Sequence, residues 1–315
     1  MKKLIFTLFT FVIIGNSILS AQDSKWTGYL KDSIYSSLDN EVQRFYYYPS
    51  TNCGKCPLVV SLHQWGADYA EYNNSLAPQT KALNWNYIHP DFRGPNKHLK
   101  ACGSEYVIAD IDEAIDWAIR NLQVDTSQIY IVGASGGGYT ALCSYMKSRH
   151  NIKEFSVWVP IADLTQWYFE SKGRKSYYAN NILSCTCECS SLSIDKANER
   201  SPLFWQTPVN KRRNTKLNIY AGIHDGYTGS VPITHSLSFY NKIVTDYGGS
   251  SAQLVSDEEK IWLLTTRTSK EKVTEKIGDR NILFKKSYEN ISVTIFEGTH
   301  EILVDQVLNQ IVKSE

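Results

Sequence analysis

A second long apolar run is missing from this chain of 315 residues, as are an excess of either charge, a Pro/Gly/Ser-rich linker and an internal repeat. The one extended apolar run covers residues 4–14, behind Lys2 and Lys3, and falls short of the roughly 20 residues a bilayer-spanning helix needs. Gly15, Asn16 and small residues ending at Ser20 and Ala21 follow it, which is the layout of a secretory signal peptide. Residues 1–21 are therefore expected to be removed and the mature chain to be secreted or periplasmic, with no membrane association. No cysteine stands at the expected cleavage point, which argues against a lipid anchor. Lys and Arg number 33 against 32 Asp and Glu, a formal net charge of +1. That balance lacks the footprint of a nucleic-acid binder. With no linker or repeat to divide them, residues 22–315 are expected to form one domain, long enough to bury a full core.

Cysteine, by contrast, is plentiful: seven, at positions 53, 56, 102, 143, 185, 187 and 189. Cys53-Gly-Lys-Cys56 has zinc-knuckle spacing, but export favours disulfides over thiolate ligands, so no metal is expected. Cys143 falls in a predicted helix and is expected to be buried and unpaired. Among the other six the sequence leaves the pairing open.

Apolar periodicity orders the rest. Residues 42–48, aromatic and closed by Pro49-Ser50, read as an outer strand; 56–62 as a strand buried on both faces; 85–89 as a short third strand. Val107, Ile111, Ala114, Ile115, Ala118, Ile119 and Leu122 recur at three- and four-residue intervals and predict an amphipathic helix over 105–122. A strand at 128–133, a helix at 138–149, strands at 155–160 and 217–220, a helix at 234–247, a strand at 293–296 and a helix from about 301 continue the alternation. This pattern predicts a mostly parallel sheet with helices on both faces. Two stretches interrupt it: 164–205, rich in Trp, Tyr and Cys and expected to cap the site, and 251–290, a charged and expectedly peripheral excursion.

Gly133-Ala-Ser135-Gly-Gly137 fits G-x-S-x-G, with a buried strand before it and a helix after it, the context of a nucleophile elbow. Neither Gly-Lys-Ser/Thr nor G-x-G-x-x-G is present, so a phosphate-binding turn is the weaker reading. A serine needs a base and an orienting acid, in the order Ser, Asp, His for this type of fold. Asp225 follows one late strand in Gly222-Ile-His-Asp-Gly226, and His300 follows the last in Glu297-Gly-Thr-His-Glu301. Asp163 competes as the acid. His235 is expected to pack or cap, His224 to form a pocket wall and His63 to shape a loop. The oxyanion of acyl transfer needs two backbone N–H donors. Gly136 is one candidate; Trp65 is the other, with Gln64 as runner-up. Trp65, Trp167, Tyr168 and Tyr227 are candidate aromatic faces for substrate.

Taken together, the elbow, the Leu62-His-Gln-Trp-Gly66 loop, Asp91-Phe-Arg-Gly94, Gly222-Ile-His-Asp225 with Val231-Pro232, and Gly298-Thr-His-Glu301 resemble the catalytic domain of the prolyl oligopeptidase family and related secreted esterases. The resemblance implies an α/β-hydrolase fold and a Ser135-His300-Asp225 triad working through an acyl-enzyme without a cofactor. Gln64 departs from the glycine that many relatives carry after the histidine. The family's peptidases also carry a β-propeller, for which few residues precede Val42. The expectation drawn from this is a carboxylic-ester hydrolase, of the carbohydrate acetyl or feruloyl type, acting on a small or polysaccharide ester. A serine peptidase acting on peptides is the alternative, and an inactive hydrolase-fold binding protein a third reading.

Overall fold

The computed structural model describes residues 23–52, 54–72 and 76–313. The expected signal peptide, 1–21, and Cys53 lie outside the described residues.

In chain order the elements are β1 (Leu30–Tyr35), β2 (Val42–Tyr48), β3 (Cys56–Leu62), α1 (Leu76–Ala82), β4 (Asn86–Pro90), α2 (Glu105–Asn121), β5 (Val124–Ala134) and α3 (Gly136–Lys147). There follow β6 (Glu154–Trp158), α4 (Leu164–Gly173), α5 (Tyr178–Thr186), α6 (Ile194–Glu199), α7 (Val209–Arg212) and β7 (Lys216–Gly222). The chain continues through α8 (Thr234–Asp246), α9 (Asp257–Thr266), β8 (Lys276–Ile277), β9 (Arg280–Tyr288), β10 (Ile291–Phe296) and α10 (Val304–Lys313). The strands form one sheet in the order β1-β2-β4-β3-β5-β6-β7-β10-β9-β8.

From β4 to β10 all neighbours are parallel, and the antiparallel pairs lie at the two edges. The apolar strands take the middle because both of their faces are covered by helices: Leu58, Val59, Val60 of β3 and Phe155, Val157, Trp158 of β6 are all buried. In α2, Ser104 caps the N-terminus by accepting the Val107 N–H at 3.3 Å, and Val107, Ile111, Ala114, Ile115 and Ala118 face the core. This is the α/β-hydrolase architecture, with the loops at the carboxyl ends of the parallel strands free to build a site.

The edges depart from expectation. The 42–48 strand is second from the edge, because β1 pairs along its whole length. Lys31, Asp32 and Ser33 make β1 too polar for apolar periodicity to detect, and the same exposed polar residues suit a terminal strand. The 251–290 stretch carries α9, β8 and β9, and β9 extends the sheet by pairing with β10 (Lys286 opposite Val293). Asn281, Lys285 and Ser287 are exposed while Arg280, Ile282, Phe284, Lys286 and Tyr288 are half-buried, the pattern of a strand wetted on one face.

Residues 164–205 hold α4, α5 and α6, packed with Trp65, Tyr139 and Ile161 into a second apolar cluster beside the main core. Cys102 and Cys185 meet at disulfide distance within it, joining α5 to the loop before α2, and Cys187 meets Cys189. Cys143 is buried and unpaired, its thiol pushed up to about 12 by burial. Cys56 has no disulfide partner among the described residues. No described helix is long and apolar enough to cross a membrane.

Candidate active site

β5 runs into a turn so tight that Ser135 takes φ 56° and ψ −118°, a left-handed backbone that a residue with a side chain occupies only under constraint. The constraint is visible: the Ser135 N–H donates to Trp158 O at 2.9 Å, and the Ser135 carbonyl accepts from Tyr139 N–H at 2.8 Å as α3 begins. The hydroxyl thus stands at the carboxyl edge of the sheet.

Two other loops converge on it. His300 Nε2 lies 2.8 Å from Ser135 Oγ, and His300 Nδ1 lies 2.7 Å from Asp225 Oδ2. The carboxylate fixes the tautomer: Nδ1–H donates to Asp225 and leaves Nε2 to accept the serine proton. Asp225 is itself held, its other oxygen accepting N–H bonds from Gly226 at 2.9 Å and Val231 at 3.0 Å. Gly229, which sequence reasoning missed, lets the acid and base loops meet. A Cβ there would lie 2.3 Å from Asp225 Oδ1 and 2.6 Å from His300 Cβ.

The competing acid is engaged elsewhere. Asp163 caps α4, its Oδ1 accepting from Thr165 N–H at 2.8 Å and Gln166 N–H at 3.0 Å. His235 is buried, its Nδ1 accepting from Ala162 N–H at 3.1 Å and its Nε2 3.1 Å from Glu170.

A Cβ on Gly136 would fall 2.2 Å from Trp65 N, so the two backbones touch beside the nucleophile. Neither the Gly136 nor the Trp65 N–H has a hydrogen-bond partner among the described residues. The Gln64 N–H, the runner-up, donates to Glu71 Oε2 at 2.8 Å and is therefore spent. Two unengaged backbone N–H groups side by side are the kind of donor pair that could hold an oxyanion.

The proposed aromatic faces separate. Trp65, Trp167 and Tyr168 are buried in the second cluster, Trp65 and Trp167 edge to face with centroids 4.7 Å apart, so they form a packed wall, not open faces. Trp167 also donates its indole N–H to Ser230 O at 2.9 Å, tying α4 to the acid loop. Tyr227 is exposed, with the Arg267 guanidinium 4.0 Å over its ring. His224 bridges the acid and base loops, its Nε2 2.9 Å from Glu297 Oε1 and its N–H on Gly298 O. No group of three or more His, Cys, Asp or Glu suited to a metal ion occurs among the described residues.

Behind the oxyanion loop, His63 stacks on Phe92 at 3.8 Å, its Nδ1 2.9 Å from Gln64 O and its Nε2 2.6 Å from Asp91 O. Asp91 has its pKa pushed up to about 6, chiefly by burial, with Asp68 and Asp110 adding to it and the Tyr69 N–H and Arg44 opposing. A carboxyl raised in the fold contributes stability that is fully present below its unfolded pKa and is lost as pH rises through the folded value. Asp91→Asn is therefore expected to raise Tm at pH 8, on the order of a few degrees, and to leave it unchanged near pH 4. Scanning calorimetry at the two pH values checks this; an equal shift at both would place the effect outside Asp91 ionisation.

Residues 95–278, more than half of the chain, match the prolyl oligopeptidase family. The chain belongs to this family. It accordingly has the α/β-hydrolase fold. Among solved structures it is similar to the acylaminoacyl peptidase of Pyrococcus horikoshii (19% identity, 72% of this chain and 37% of that one, TM-score 0.54). It is also similar to a prolyl endopeptidase (15%, 91% and 37%, TM-score 0.58) and to a puromycin-hydrolysing peptidase of Mycobacterium tuberculosis (18%, 69% and 34%, TM-score 0.51). At these identities the likeness is one of fold. The chain spans between 34% and 37% of the length of these structures. None of the curated proteins matches it. The family membership overturns the expected carboxylic-ester hydrolase: the matched family and the similar structures are peptidases, and the sparse residues ahead of Val42 were a poor guide to substrate.

Proposed function

We propose that this protein is an exported serine peptidase that cleaves peptide bonds through an acyl-enzyme on Ser135. The observation that carries the reading is the unbroken hydrogen-bonded chain from Ser135 through His300 to Asp225, at 2.8 and 2.7 Å. In this reading Ser135 Oγ attacks the scissile carbonyl as its proton passes to His300 Nε2, and Asp225 stabilises the imidazolium. The carbonyl oxygen becomes an oxyanion between the N–H groups of Trp65 and Gly136. His300 then returns the proton to the leaving amine, and water enters by the reverse steps to release the acid and free Ser135. Export is supported by the leader pattern at 1–21 and by the paired cysteines, which persist in oxidising compartments.

The test is a parallel assay of acylated amino-acid, aminoacyl-proline and longer peptide p-nitroanilides beside p-nitrophenyl acetate, acetylated xylan and a feruloyl ester. Turnover of at least one anilide class is expected. Hydrolysis of the polysaccharide esters with every anilide inert would sink the peptidase reading.

A further inference from the structure

We infer that Glu71 is a positioning residue for the oxyanion-binding loop: by holding the Gln64 N–H, its carboxylate keeps the next N–H, that of Trp65, turned toward the reacting carbonyl. This deepens the proposed function and rests on it. Three successive peptide groups of the loop are held by hydrogen bonds. The Gln64 N–H donates to Glu71 Oε2 at 2.8 Å. The Gln64 carbonyl, in the same peptide plane as the Trp65 N–H, accepts from Ala67 N–H at 3.1 Å and lies 2.9 Å from His63 Nδ1. The Trp65 carbonyl accepts from Asn96 N–H at 2.9 Å. Of the N–H groups that follow, those of Trp65 and Gly66 have no partner among the described residues, and that of Trp65 is the one in contact with Gly136.

Glu71 is the only charged side chain among these holds, so its bond is charge-assisted and directional. It reaches the loop from a cavity of about 250 Å³ that is also lined by Ala134, the residue before the nucleophile, and by Ile302, two residues after His300. The cavity that Glu71 lines thus reaches residues flanking both Ser135 and His300. Burial raises its pKa, Asp68 adds to that, and the Gln64 N–H opposes it. A half-buried carboxylate whose charged form the surroundings disfavour is poorly explained as a packing element, because an apolar side chain would fill the space without the desolvation penalty.

The experiment compares Glu71→Ala and Glu71→Gln with the wild type on whichever p-nitroanilide is turned over. Rates are normalised to the fraction of protein labelled at Ser135 by a fluorophosphonate at completion, so that unfolded molecules do not count. In Glu71→Ala the freed loop should lower kcat about tenfold or more, short of the ~10²–10³ seen when an oxyanion donor is removed outright. KM should stay within about threefold, since the bond matters most to the charge formed in the transition state. Glu71→Gln, whose amide oxygen can accept the same N–H, should bring kcat back to within about threefold of wild type. Unchanged kcat in Glu71→Ala overturns the inference, as does a loss confined to KM or an equal loss of kcat in Glu71→Gln. A wild type that is neither labelled nor active removes the serine peptidase reading and this inference with it, whereas an active wild type with an indifferent Glu71→Ala removes this inference alone.

Discussion

Ser135→Ala is expected to abolish turnover while the protein stays folded, with a loss of up to about 10⁶-fold in kcat, the scale reached when a triad nucleophile is removed in another serine hydrolase. The size follows from what the hydroxyl does: it forms the covalent bond, and no neighbouring group is placed to substitute for it. His300 would remain against Asp225, and the oxyanion donors would be intact, so a residue of catalysis above water should survive. The variant should also be no less stable, because among the described residues the Ser135 side chain makes a single hydrogen bond, to His300, and its strained backbone is fixed by its main-chain bonds. A fluorophosphonate should label the wild type at Ser135 and leave the variant unlabelled. Labelling of the variant at another residue, with activity retained, would move the nucleophile elsewhere.

Replacing the acid should be the next most severe change. In Asp225→Asn the amide can no longer hold Nδ1–H as a charged acceptor. An amide NH₂ facing Nδ1 favours the tautomer in which Nε2 carries the proton and cannot take the one from serine. By comparison with the same loss in another serine hydrolase, kcat should fall by up to ~10⁴-fold with KM little changed. Asp163→Asn serves as the control. Its carboxylate caps α4 and makes no hydrogen bond to His300, so kcat should change little, and because Asn caps helices about as well as Asp, stability should fall by less than the ~0.5–2 kcal/mol that loss of an N-cap costs. Steady-state kinetics on both variants, with Tm for each, separates the roles. A severe kcat loss in Asp163→Asn beside a mild one in Asp225→Asn would reassign the acid.

How far the site could be read in advance depended on how local its causes are. The elbow is legible because its demands fall within five residues: glycines where a side chain would collide, a serine between them, an apolar strand before and a helix after. Asp225 and His300 each follow a buried strand, and chain order alone proposed them. That His300 faces both partners at once, and that Asp163 is spent on a helix cap, are facts of three loops brought together across separations of 75 and 165 residues. Burial of Trp167 and Tyr168 was equally hidden, since an aromatic residue in a long connection reads the same whether it faces substrate or a neighbouring wall.

What the sequence by itself determined is the set of short-range consequences: the alternation of strand and helix, the central buried strands, the caps and the elbow, all dictated by apolar periodicity and by steric limits within a turn or two. Tertiary structure alone decided the rest. The polar strand β1 and the half-wet β9 become strands because a neighbour's unpaired backbone is there to meet them. The Gln64 N–H is taken while the Trp65 N–H is left without a partner among the described residues because Glu71, seven residues away, reaches the Gln64 N–H. Gly229 matters because two other loops close on it. Each of these outcomes turns on which hydrogen-bonding group or volume is already occupied when distant segments pack, and such competition leaves no periodicity or spacing along the chain.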